Sequence, residues 1–102
     1  MTTAYNKFFI NGEWVEPDRP TLEVINPATE EPFATISVGT ADDVDAAAKA
    51  AKAAFASWST SSIETRETVL GNIIAGLKAR SEEMAVAIST EMGAPMGLSK
   101  TA

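Results

Sequence analysis

The pattern of apolar residues changes once along this sequence, near Gly39, and that change restricts the folds open to the chain. Before Gly39, short runs of aromatic and β-branched residues alternate with turn residues, which is typical of strands. After it, apolar residues recur every three or four positions, which is typical of amphipathic helices. The sequence therefore predicts two β-hairpins followed by three α-helices.

Two turn signals divide the first part, which we assign to hairpins over residues 6–38. Asn11-Gly12 lies between two short apolar runs, where a type I′ turn needs positive φ at both central residues. The segment 26–32 contains two prolines and separates a second pair of candidate strands, 21–25 and 33–38. This second pair forms either another hairpin or a longer two-stranded ribbon.

The three helices are predicted over residues 41–58, 62–80 and 82–92. Each follows a hydroxyl residue suited to capping a helix. These residues are Thr40, with Asp43 completing a capping box, Ser61, with Glu64 in the same role, and Ser81. Gly93 is predicted to end the third helix, and a fourth element begins near Gly97.

The first two helices each carry apolar residues on one face. These are Val44, Ala47, Ala48, Ala51, Phe55 and Trp58 on the first helix and Val69, Leu70, Ile73, Ile74 and Leu77 on the second. Because the chain has 102 residues and many of its apolar residues are alanines, a free-standing core would be thin. Gly71 and Gly76 each cost the second helix about 1 kcal/mol relative to alanine. Close packing against another backbone would explain them.

Several function classes are excluded by composition. The chain contains no cysteine and no histidine, so disulfides, thiolate zinc sites and the common nucleophile–base pairs cannot be built from it. A net charge of −6 argues against nucleic acid and against an anionic membrane surface as partners. The first residues lack the pattern of a signal peptide, and no run approaches the ~20 apolar residues of a membrane span. Cytoplasmic residence is the default expectation.

Five motifs carry more specific information through their order. They are Phe8 to Val15 around Asn-Gly, Val24-Ile25-Asn26-Pro27-Ala28-Thr29-Glu30, the alanine-rich stretch from Asp43 to Trp58, the helix with Arg66 and Leu70, and Glu91-Met92-Gly93-Ala94-Pro95. Each is common alone, whereas five in this order and spacing resemble the N-terminal segment of the aldehyde dehydrogenase superfamily. The resemblance covers the chain from Phe8 to Ala102.

The resemblance implies an α/β parent enzyme in which residues 1–102 are the N-terminal segment of the cofactor-binding domain. The implied reaction is the NAD- or NADP-dependent oxidation of an aldehyde to a carboxylate, through a cysteine thiolate and a glutamate-activated water. Those groups and the main cofactor contacts lie downstream in the family, so we assign no catalytic and no cofactor-binding residue here. The chain alone is predicted to be inactive. The implied partners are the rest of the dehydrogenase chain and further copies of it, in a dimer or tetramer.

One binding site of the family falls within this segment. The resemblance implies that backbone carbonyls of Val24 and Ile25 and the side chain of Glu91 bind a monovalent cation, K⁺ or Na⁺, with a further ligand from beyond residue 102. Oxygen ligands suit such hard cations. Alternatively, Glu91 only caps or pairs locally.

The resemblance also implies a supporting role, in which the apolar helix faces pack against the rest of the cofactor-binding domain. The competing hypothesis is a complete small α+β module that binds a partner through the same faces and has no catalytic activity. If the first hypothesis is right, large apolar side chains should remain uncovered in the structure of this segment.

Overall fold

The structure, a computed structural model that describes residues 2–102, has five strands followed by four helices. The strands are β1 Thr3–Tyr5, β2 Phe8–Ile10, β3 Glu13–Val15, β4 Thr21–Asn26 and β5 Glu31–Ser37. The helices are α1 Ala41–Trp58, α2 Ile63–Ala79, α3 Ser81–Met92 and the short α4 Met96–Ser99. The predicted order of strands and then three long helices is confirmed.

The chain divides into two compact units. Unit 1 comprises the residues up to Ile25 together with Pro32–Thr60, and it holds the strands and α1. Unit 2 comprises Asn26–Glu31 and Ser61–Ala102, and it holds one turn with α2, α3 and α4.

The first hairpin of unit 1 forms because its turn residues tolerate the left-handed region. Asn11 has a φ of 54° and Gly12 a φ of 77°, which confirms the turn expected between β2 and β3. The antiparallel register pairs Phe9 with Trp14. Their ring centroids lie 5.1 Å apart at an interplanar angle of 54°, an arrangement that stabilises a cross-strand pair.

A three-stranded sheet in unit 1 has the order β1-β5-β4. β4 and β5 are consecutive neighbours, whereas β1 runs parallel to β5 with Thr3 opposite Ala34. β1 lies outside the predicted strand region 6–38, which is a correction to the prediction. A three-residue strand has too little periodicity to reveal itself, and its partner is distant in the sequence.

Unit 2 contains the turn between β4 and β5, which packs against the end of α3. The amide N–H of Ala28 donates to Oδ1 of Asn26 at 2.9 Å, and that of Glu30 donates to the Asn26 carbonyl at 2.8 Å. Gly93 ends α3 with a φ of 79°, as predicted for a left-handed helix cap. A Cβ at Gly93 would lie 2.9 Å from Cγ of Pro27, so the turn and the helix end are in close contact.

The helix caps agree with the predictions at one position and differ at two. Thr40 and Asp43 form the predicted capping box of α1. α2 is capped by Ser62, which accepts from the amide of Thr65, and not by Ser61 with Glu64. Ser81 is the first residue of α3 and does not cap it. The Arg80 N–H bonds to carbonyls at the end of α2, so α2 continues almost directly into α3 without the extended residue that a serine cap requires.

The buried part of the molecule is small. The buried apolar residues are Ala34 at 2% exposure, Ala85 at 0% and Ala94 at 8%, and Ser37 and Ser99 are buried with them. Among the described residues no large side chain is fully buried. The expectation of a thin core therefore agrees with the structure.

Candidate functional site

The long helices present an exposed apolar surface that is available for binding. Neither α1 nor α2 has a single buried residue. On α2 we define the α2 face as Val69, Leu70, Ile73, Ile74 and Leu77. All five side chains are between 37% and 58% exposed. Full burial of such a side chain is worth about 1.5–3 kcal/mol, and roughly half of this stabilisation is unrealised within the described residues.

A similar surface exists on α1 in unit 1. The α1 face consists of Val44, Phe55 and Trp58, with exposures of 68%, 67% and 47%. The alanines of the same helix lie beside the first hairpin, where a shallow groove is lined by Phe9, Ile10 and several alanines. The hairpin therefore lies beside the alanines of α1. The large apolar side chains of α1 stay exposed.

The total accessible area leads to the same conclusion. The chain exposes 8049 Å², whereas a folded monomer of its mass, 10.7 kDa, typically exposes about 5,500 Å². The larger area agrees with the many large apolar side chains that are exposed. The predicted uncovered apolar surface is therefore present.

The two glycines of α2 are also on open surface. A Cβ added to Gly71 or Gly76 would meet nothing within 4 Å among the described residues. No backbone of the described chain approaches them closely, so the close packing that would explain them is not made within this segment.

A polar cluster at the start of α1, in which Arg19 contacts Thr40 and Asp43, was not identified from the sequence. Nη2 of Arg19 donates to Oδ1 of Asp43 at 3.1 Å and to Oγ1 of Thr40 at 3.3 Å. Asp43 also accepts from the backbone N–H of Thr40 at 2.8 Å. The hydrogen bond from Arg19, followed by that from the Thr40 backbone, holds the pKa of Asp43 below its usual value. The cluster joins the loop before β4 to the helix and is a structural clamp.

A second ion pair lies at the junction of α2 and α3. Nε of Arg80 donates to Oε2 of Glu83 at 2.8 Å, and both side chains are mostly exposed. This hydrogen bond lowers the pKa of Glu83 and raises that of Arg80. Because each shift favours the charged form, neither residue is poised to exchange protons near neutral pH.

The residues predicted to bind a cation lie on two elements. Val24 is half-buried and Ile25 exposed in β4, and Glu91 is exposed near the end of α3. Residues 2–102 contain no group of three or more acidic, histidine or cysteine side chains arranged to bind a metal. The monovalent-cation site, with its backbone ligands, stays a prediction.

The first hairpin forms one open depression with β1. It has a volume of about 400 Å³ and is lined by Ala4, Tyr5, Asn6, Lys7, Trp14 and Glu16. Nζ of Lys7 lies 3.7 Å from a carboxylate oxygen of Glu16, and both side chains are exposed. The depression holds no convergent set of buried polar groups, which a specific small-molecule site requires.

None of the described helices is long and apolar enough to cross a membrane.

Comparison with protein families gives a match over most of the chain. The model described as the aldehyde dehydrogenase family matches residues 14–102. A curated Staphylococcus aureus relative is 40% identical over 97 residues, which are 94% of this chain and 20% of that protein. The chain thus spans about a fifth of the length of the curated relatives it matches.

Solved structures agree in fold as well as in sequence. An aldehyde dehydrogenase from Bartonella henselae superposes with a TM-score of 0.95 at 42% identity, over 99% of this chain and 21% of that chain. A mutant of aldehyde dehydrogenase C from Pseudomonas syringae, complexed with NAD⁺ and octanal, gives a TM-score of 0.90 at 47% identity, over 95% of this chain and 20% of that chain. A betaine aldehyde dehydrogenase mutant from Staphylococcus aureus, in complex with NAD⁺, gives a TM-score of 0.86 at 33% identity, over 94% of this chain and 20% of that chain.

Proposed function

Because this chain belongs to the aldehyde dehydrogenase family, we propose that it forms the N-terminal part of an NAD-dependent enzyme that oxidises an aldehyde to a carboxylate. The family match over residues 14–102 and the NAD⁺ complexes of two similar structures support this proposal. The alternative of a small stand-alone binding module is not favoured, because the similar solved structures are aldehyde dehydrogenases about five times as long.

We propose that this segment acts as a scaffold and not as a source of catalytic groups. The observation that carries the proposal is that α1 and α2 bury none of their residues. Helices with one apolar face gain most of their stability by packing that face against another element. The occupant of the α2 face is then the remainder of the dehydrogenase chain.

The chain contains no cysteine and no histidine, and its predicted inactivity can be tested directly. We expect no NADH formation when the 102-residue chain is mixed with NAD⁺ and an aldehyde such as octanal. The same assay on the protein translated from the whole coding frame should show turnover. Appreciable turnover by the short chain, with contaminating enzyme excluded, would contradict the placement of the active site outside it.

The scaffold role is tested in the longer protein. Replacing Ile73 on the α2 face with lysine should lower stability and, through it, activity, because a charge would be buried against the rest of the chain. Asn72→Lys adds the same charge to the neighbouring position and serves as the control. Equal effects of the two substitutions would show that the α2 face stays in solvent.

Finer properties of the parent enzyme are also part of the proposal. NADP remains the alternative cofactor, and a dimer or tetramer in the cytoplasm is the expected state, with no nucleic acid or membrane as partner. The ratio of turnover with NAD⁺ to that with NADP⁺, and the mass of the enzyme in solution, check these points.

For Val24, Ile25 and Glu91 we propose binding of K⁺ or Na⁺, on the strength of the motif resemblance and of their oxygen donors. Glu91→Ala should weaken any dependence of the melting temperature on these ions. Glu67→Ala removes an exposed carboxylate from α2 and should leave that dependence intact. An unchanged ion dependence in Glu91→Ala would argue against the site.

A further inference from the structure

The Asn11-Gly12 turn has features that its hairpin role does not require. Both residues are exposed, and a Cβ added at Gly12 would meet nothing within 4 Å. Among the described residues, no hydrogen bond uses the side-chain amide of Asn11, and no turn or loop bond uses the backbone N–H of Gly12. The amide carbon of Asn11 and the backbone nitrogen that follows it are thus both accessible and unoccupied.

We propose that this turn is a site of spontaneous modification, at which Asn11 is converted through a cyclic succinimide into an aspartyl or isoaspartyl residue. The backbone nitrogen of Gly12, after losing its proton, attacks Cγ of Asn11. A bond forms between these atoms, and the side-chain amide leaves as ammonia. Water then adds to one of the two ring carbonyls and opens the ring. The net change replaces NH₃ by H₂O, and no oxidant or reductant is needed.

The backbone of the turn suits the cyclic intermediate. The ring fixes the N–Cα–C–N torsion of Asn11 near about −120°, which is the ψ of the first central residue of a type II′ turn. The φ of Asn11, 54°, already has the value that this turn type needs. Two-residue hairpins accept type I′ and type II′ turns alike, and glycine adopts either sign of φ at little cost. Rotation of the single peptide plane between Asn11 and Gly12 therefore admits the ring while β2 and β3 stay paired.

The other asparagines are less suited to the same reaction. Asn26 precedes Pro27, whose nitrogen carries no proton, and its Oδ1 accepts a hydrogen bond from Ala28. Oδ1 of Asn6 accepts from the hydroxyl of Thr35 at 3.2 Å. Asn72 lies inside α2, where the backbone torsion is held by the helix. The structure therefore singles out Asn11.

The two products have different consequences for the hairpin. An aspartyl residue adds one negative charge to a chain of net charge −6 and keeps the backbone length. An isoaspartyl residue adds one carbon to the main chain within a two-residue loop. It should disturb the register that places Phe9 opposite Trp14.

The test is incubation of the intact protein in neutral to mildly alkaline buffer prepared with ¹⁸O-labelled water. Proteolysis and mass spectrometry then follow each asparagine, and isoaspartyl carboxyls are detected by enzymatic methylation. We expect loss of the unmodified Asn11 peptide, with ¹⁸O incorporated, while Asn6, Asn26 and Asn72 remain intact. A free peptide of residues 8–15 is the matched reference for the turn.

Conversion in the free peptide without conversion in the protein would overturn the proposal, because the folded turn would then be protective. Conversion at Asn6 or Asn72 as fast as at Asn11 would overturn it as well. In Asn11→Gln the extra methylene disfavours ring formation, and the methylation signal should disappear. Loss of the near-ultraviolet signal of the Phe9–Trp14 pair should accompany isoaspartyl formation and not aspartyl formation.

Discussion

Asp43 serves two parts of unit 1 through one carboxylate. It completes the capping box of α1 with Thr40, and it accepts a hydrogen bond from Arg19 in the loop before β4. The first role was predicted from a spacing of three residues, whereas the second links positions 24 residues apart. Local sequence thus identified the cap, and the tertiary structure added the clamp.

This arrangement predicts how α1 responds to acid. The folded pKa of Asp43 lies below its usual value because of the hydrogen bonds from Arg19 and the Thr40 backbone. The unfolded chain therefore takes up a proton first as the pH falls. The stabilisation is fully present above the unfolded pKa and is lost as the pH falls through the lower folded pKa. NMR titration should find the Asp43 pKa below 3.8, and Arg19→Gln should raise it.

The control for that titration is Lys52→Gln, which removes one positive charge from α1 without a bond to Asp43. It should leave the Asp43 pKa nearly unchanged, since exposed charges at a distance are screened by salt. An Asp43 pKa that moves equally in both variants would show that general charge, and not the clamp, sets its value.

At the scale of elements, capping residues close to each helix end set most of the helix boundaries, except where two helices meet. Gly93 ends α3 in the left-handed region, and Thr40 begins α1. Ser81 does not cap α3, because the end of α2 uses the preceding residue, Arg80, as its own final hydrogen-bond donor. The cap of α3 was therefore misplaced because α2 and α3 share this boundary, whereas the cap of α2 was misplaced by one residue, from Ser62 to Ser61.

The contact between the β4–β5 turn and α3 predicts a large effect of one methyl group. In Gly93→Ala, the new Cβ would lie 2.9 Å from Cγ of Pro27, and the residue would keep a φ of 79°. Both effects oppose folding, and we expect the free energy of unfolding to fall by more than about 1 kcal/mol. Urea unfolding of the intact protein measures it.

Gly76→Ala is the matched control, because it makes the same change at an open position inside α2. Alanine is about 1 kcal/mol more favourable than glycine in a helix interior, so this variant should not destabilise α2. Similar losses of stability in both variants would mean that the contact between Gly93 and Pro27 contributes little to the stability of the fold.

At the scale of the whole molecule, the chain has well-formed elements and little interior. Its buried apolar residues are alanines, and the large apolar side chains of α1 and α2 lie at the surface. Folding of a domain depends on buried apolar area to offset the loss of conformational entropy. We therefore expect stable packing of this segment to depend on covering those faces.

We expect the isolated 102-residue chain to self-associate or to be loosely packed. Exposed apolar faces drive association, and analytical ultracentrifugation with dye binding to apolar surface measures both outcomes. Ile73→Lys should reduce association by placing a charge on the α2 face, whereas Asn72→Lys should not. A monomeric chain with a sharp, cooperative melting transition would contradict the need for missing packing partners.

The sequence alone determined the kinds of elements, their order and most of their turns. Periodicity, the φ preferences of Asn11-Gly12 and Gly93, and the Thr40 cap act between close neighbours and can be read without a structure. The order of five local motifs also determined the family. Only the tertiary structure decided the parallel pairing of β1 with β5, the Arg19–Asp43 clamp and the contact of Pro27 with Gly93. Each depends on a contact between residues that are far apart in the sequence, and no local sequence pattern indicates such a contact.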